Sequence, residues 1–223
     1  METNNKEQIN EHRSIEIISQ MIAATKSDID RESGKYFLLW GYTTVLVSLF
    51  EFFAQAGGMD RVACAWCWWI IPLIGGIGTL LLNLRSKRRS EPGPKSYLDR
   101  SVSAGWQGFG LSWGLVLVAA LAYGANILFL TIMLMGMGTV ITGKICQHRV
   151  LTISGKISII LSLIFPLHHL WMRENGTMLR DSGFEHFEYL LYGEIIIFAL
   201  IFTVMMIVPG HILYNRAKRL HNA

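Results

Sequence analysis

The sequence predicts an all-α polytopic membrane bundle: six transmembrane helices arranged as three hairpins, preceded by an N-terminal cytosolic amphipathic helix. Three observations carry this. The 223 residues are 52% hydrophobic and only 16% charged, whereas soluble domains carry closer to a quarter charged residues. The apolar residues gather in blocks, each close to the ~20 residues that cross a bilayer core. Between two of these blocks lies RSKRRSEPGPKSYLDR, residues 85–100, with Arg85, Lys87, Arg88, Arg89, Lys95 and Arg100 against only Glu91 and Asp99. A basic loop between two spans stays on the cytoplasmic face and fixes the orientation of its neighbours.

The net charge of +4 is no nucleic-acid signature, because the basic residues flank the apolar runs, where orientation in the membrane accounts for them. Residues 1–35 are polar, with no apolar segment behind a basic start, so the first span is expected to act as an uncleaved insertion signal. Cys64, Cys67 and Cys146 are too few for a disulfide scaffold.

Within the 1–35 segment, residues 6–33 read as an amphipathic helix. Ile15, Ile18, Ile22, Thr25 and Ile29 follow helical spacing, and Ile17 and Met21 widen the stripe. Glu11, Arg13, Glu16, Lys26, Asp28 and Glu32 occupy the other face, and Gly34 is expected to end the helix. Such a stripe either packs under the bundle or binds a partner through Ile15, Ile18, Ile22 and Ile29. Its acidic balance disfavours tight binding to anionic lipid.

Six apolar runs follow in 36–215, at about 36–56, 62–84, 102–122, 126–146, 150–172 and 187–209, before a short basic tail at 216–223. With the N-terminus inside, seventeen of the twenty Lys and Arg residues fall on the cytoplasmic side; Arg61, Arg173 and Arg180 are the rest. This places both termini in the cytoplasm. Trp66, Trp68, Trp69 and Trp171 form an outer aromatic belt and Tyr36, Trp40, Trp106 and Tyr214 an inner one, with Trp113 left near mid-span. Pro72, Pro166 and Pro209 each interrupt a run. The segment Arg173–His186 reads as the one long outer loop. Gly76-Ile77-Gly78-Thr79 is echoed sixty residues later by Gly136-Met137-Gly138-Thr139, a pattern that close helix packing explains.

Gly110-Leu111-Ser112-Trp113-Gly114 spells a hydrolase string, but that chemistry needs a strand-to-helix elbow. In mid-span the same letters are a small-residue packing ridge. Cys64 and Cys67 stand three apart at the outer end of the second run, on one helix face. Their position resembles that of the quinone-linked thiol oxidases of the bacterial disulfide-forming system, which need a second cysteine pair in an outer loop. Residues 173–186 hold no cysteine, so a redox role is disfavoured.

The buried ionisable residues matter most. Glu51, Glu194, His168 and His169 lie at similar depth by residue count, with Tyr192 beside them and Glu185, His186 and Glu188 just above. Ionisable groups at that depth face the bundle interior or water. They read as a ligand or ion pocket, or else as interhelical hydrogen bonds. Adjacent histidines on a helix point about 100° apart, so no metal site is expected, and no motif asks for a cofactor.

The frame of a charged N-terminal helix, then Lys35-Tyr36-Phe37-Leu38-Leu39-Trp40-Gly41, then six spans, resembles an uncharacterised bacterial family of small inner-membrane proteins. That resemblance implies no activity and no site. Two functions remain in view. One is a non-enzymatic sensor or scaffold, with the lipid bilayer around it and the N-terminal helix engaging a cytosolic protein or a second copy of the chain. The other is a small proton- or cation-coupled transporter or channel using the outer Glu/His pocket. The absence of a paired nucleophile and base disfavours an enzyme.

Overall fold

The computed structural model describes residues 2–89, 97–123, 126–181 and 187–221. Among these residues all regular structure is helical: α1 (Glu2–Ala56), α2 (Arg61–Cys67), α3 (Ile70–Arg89), α4 (Tyr97–Tyr123), α5 (Ile127–Ile145), α6 (Arg149–Leu161), α7 (Ile164–Asp181), α8 (Phe187–Phe202), a π-helical turn (Thr203–Ile207) and α9 (Val208–His221).

Four stretches are long and apolar enough to cross a membrane: Glu32–Ala56, Ile127–Ile145, Arg149–Asn175 and Tyr192–Arg219. They fall on the first, fourth, fifth and sixth expected runs. The second run is divided between α2 and α3, which leaves the shorter apolar helix Ile70–Arg85. The third is the single helix α4, whose apolar stretch also carries Gln107 and four glycines.

The breaks have one physical cause. Proline has no N–H to give to the carbonyl four residues back. Pro72 therefore leaves the Trp68 carbonyl to the Ile71 N–H at 3.2 Å, and the helix parts at Trp68–Trp69. Pro166 leaves the Ser162 carbonyl to the Phe165 N–H at 3.2 Å, and α6 parts from α7. Ahead of Pro209 the ladder widens instead, with the Val208 N–H reaching the Thr203 carbonyl five residues back. A π-bulge absorbs the lost bond without ending the helix.

Two expectations are corrected. Gly34 does not end the N-terminal helix: α1 is continuous from Glu2 to Ala56. A Cβ at Gly34 would lie 3.1 Å from both the Gly210 carbonyl oxygen and the Tyr214 nitrogen. The glycine is there to let α1 meet α9, not to stop the helix. The stop comes later, at Gly58, whose φ of 83° suits a left-handed cap. The segment Arg173–His186 is also no loop through its first part, since α7 runs on to Asp181. The remainder, with Glu185 and His186, lies outside the described residues.

α1 runs along α3 on one side and along α8, the π-turn and α9 on another, while α5 lies against α4 and α6. The core is centred on the last long helix: Phe198, Ile201, Phe202, Met205, Met206 and Leu213 pack with Phe37, Ile132, Leu151 and Phe165. That helix has the highest hydropathy of the four, as expected of one enclosed by its neighbours. Buried hydroxyls bond back along their own helices, as Thr43 does to the Leu39 carbonyl at 2.7 Å and Ser48 to the Thr44 carbonyl at 2.8 Å. These hydroxyls are thus satisfied within their own helices.

Candidate functional site

Glu194 is the centre of a polar cluster that three helices build. Phe187–Phe202 carries Glu194 on α8, and the turn of helix after the Pro166 break carries His168 on α7. The His168 Nδ1 and Glu194 Oε1 atoms are 2.7 Å apart. The second carboxylate oxygen accepts from the Asn126 amide at 3.2 Å. Asn126 is itself the N-cap of α5, its side-chain oxygen accepting the Phe129 N–H at 3.1 Å. One asparagine thus fixes the start of a helix and orients a carboxylate. The His168 ring also stacks on Trp171, with centroids 6.2 Å apart. Both His168 and Glu194 remain partly accessible, at 22% and 18%. An imidazole against a carboxylate can hold a shared proton or present a negative group to a cation.

Glu51 has other partners. It is only 4% exposed on α1, and its Oε1 accepts from the Gln55 amide at 3.0 Å. The Trp68 indole and Cys64 approach it from the α2 side. Its Oε2 is buried with no hydrogen-bond partner among the described residues. The partners of Glu51 and Glu194 do not overlap, and no described hydrogen bond joins the two carboxylates. His168 and Glu194 meet; Glu51 has its own partners; His169 is exposed. Tyr192 is half-buried two residues before Glu194 on α8.

Cys64 and Cys67 are both free thiols. Cys64 is buried, at 1% exposure. Cys67 gives its weak hydrogen bond to the Ala63 carbonyl at 3.6 Å. A thiol buried in apolar surroundings is a poor nucleophile. In the N-terminal stripe, Ile15 and Ile17 stand 62% and 49% exposed.

Sequence reasoning missed Asn126, because it was read as the first residue of an apolar run. Its position just before that run is the ordinary signature of an N-cap. Gln55 and Trp68 gave no signal, since only the fold brings Trp68 to Glu51. No protein family, curated protein or solved structure matches the chain.

Proposed function

We propose that the chain is a non-enzymatic scaffold or sensor of the bacterial inner membrane, with six spans, cytoplasmic termini and an N-terminal helix that engages a partner. The observation that carries this reading is the continuity of α1 over 55 residues, about 80 Å at 1.5 Å per residue. Its membrane part is clamped to α3, α8 and α9. A rotation or displacement of the arm therefore reaches the bundle without a hinge. The isoleucine stripe with mixed charges beside it suits a second copy of the same helix, with a cytosolic protein as the other occupant.

Ile18→Asp combined with Ile22→Asp puts two charges into the stripe. Co-purification of two differently tagged full-length copies is expected to be lost in the double variant. Capture that survives both substitutions overturns the reading.

A second reading has its own support. Glu51 holds an unpartnered buried oxygen, and Glu194 sits in a hydrogen-bonded His/Asn cluster. Intramembrane ionisable groups mark ion and proton paths, so a small proton- or cation-coupled transporter or channel is the alternative.

A further inference from the structure

A groove of about 600 Å³ lies between α1 and α3, edged by Tyr214 of α9. Its α1 wall is a single helix face: Lys35, Leu38, Leu39, Tyr42, Thr43 and Leu46. Its α3 wall repeats the same spacing with Gly78, Leu81, Leu82 and Arg85. Both walls are apolar along their length and both end in a cation at the same end. Leu46 and Leu81 are exposed, so the groove opens sideways. Among the described residues neither Lys35 nor Arg85 has a hydrogen-bond or salt-bridge partner.

We propose that this groove is a binding site for one anionic phospholipid, with an acyl chain along the leucines and the phosphate between Lys35 and Arg85. The dimensions fit. From Lys35 to Leu46 is eleven residues, about 16 Å at helical rise, which is half of a ~30 Å hydrocarbon core and so the depth of one leaflet. The charge fits as well, because two unpaired cations at the mouth of an apolar slot complement an anionic headgroup. Tyr42 sits midway with its hydroxyl bonded to His211 Nε2 at 2.7 Å, so its ring lines the slot while its polar tip is occupied. The walls are held together along the basic half of the groove: the Tyr36 hydroxyl donates to Asn83 at 2.6 Å and the Trp40 indole to Thr79 at 3.1 Å. The groove is therefore built between two pinned helices. It does not depend on what the α1 arm binds.

Native mass spectrometry of the full chain in detergent tests this directly. The chain is incubated with phosphatidylglycerol or with phosphatidylcholine of identical acyl chains. One phosphatidylglycerol is expected to be retained in preference to phosphatidylcholine, and soluble glycerol phosphate is expected not to displace it. Lys35→Gln and Arg85→Gln should each weaken retention about fivefold, the factor that ~1 kcal/mol per basic residue at a membrane surface corresponds to. Lys35→Arg and Arg85→Lys should keep it. Equal retention of the two lipids, displacement by glycerol phosphate, or retention unchanged in both glutamine variants overturns the proposal. The wild-type lipid comparison needs no variant to fold.

Discussion

The indole N–H of Trp40 donates to the Thr79 hydroxyl at 3.1 Å, and the Trp40 ring lies over Gly75, one turn earlier on the same helix. The arrangement recurs. Trp106 of α4 donates to Thr142 of α5 at 3.1 Å, and shares the space over Gly138, again four residues earlier, with the closer Phe109 ring. Trp113, left unexplained at mid-span by an interfacial role, donates to Thr131 at 3.2 Å. The tryptophans of the basic end are thus interhelical clasps as much as interfacial anchors.

The two halves of the Trp40 clasp should fail by different amounts. A Cβ at Gly75 would stand 2.8 Å from the ring, and the hydrogen bond to Thr79 keeps that ring from swinging away. Gly75→Ala is expected to cost about 1–3 kcal/mol as overpacking. Thr79→Val removes only the hydrogen bond, worth about 0.6 kcal/mol on average between membrane helices. Thermal unfolding in detergent should rank the two variants in that order. A Gly75→Ala protein as stable as wild type would show that the ring is free to move.

These clasps show what the sequence made legible. The apolar blocks and the prolines could be read from residue type alone, because hydropathy and a missing N–H act locally. The glycine-threonine echo was also visible, but in the wrong register. The letters align Gly76–Thr79 with Gly136–Thr139, while the clasps align Gly75 and Thr79 with Gly138 and Thr142. What sets the register is the tryptophan on the facing helix, and one strand of sequence does not contain it. The same limit hid Asn126 as a partner of Glu194 and Trp68 as a neighbour of Glu51. It also made Gly34 look like a helix stop, since a glycine that permits close approach and one that ends a helix are the same letter.

Gly34 separates those two roles experimentally. In an exposed helix interior, Gly→Ala gains about 1 kcal/mol of helix propensity. Here the new methyl would meet backbone of α9, the Gly210 oxygen and Tyr214 nitrogen, at 3.1 Å, and backbone atoms do not swing aside. Gly34→Ala is expected to lower the unfolding temperature despite its better propensity, and Gly34→Val to lower it further. A stabilised Gly34→Ala variant would mean that α1 and α9 are not in the contact described.

Glu51 tests the transport reading against its stability. A buried polar atom without a partner costs about 1–3 kcal/mol, and Glu51 Oε2 is such an atom among the described residues. Methionine has a similar length and no polar oxygen. Glu51→Met should therefore raise the unfolding temperature, despite the loss of the Gln55 hydrogen bond and of the Trp68 indole's polar neighbour. Glu194→Met should do the reverse. It strips His168 and Asn126 of their shared acceptor and leaves two polar side chains to be satisfied at membrane depth. The contrast carries the functional inference. A residue whose removal stabilises the fold is held for something other than folding, and proton or cation flux in reconstituted vesicles should then fall in Glu51→Met while the protein becomes more stable. A destabilised Glu51→Met protein would assign Glu51 to the packing of α1 against α2 and withdraw it from the pathway.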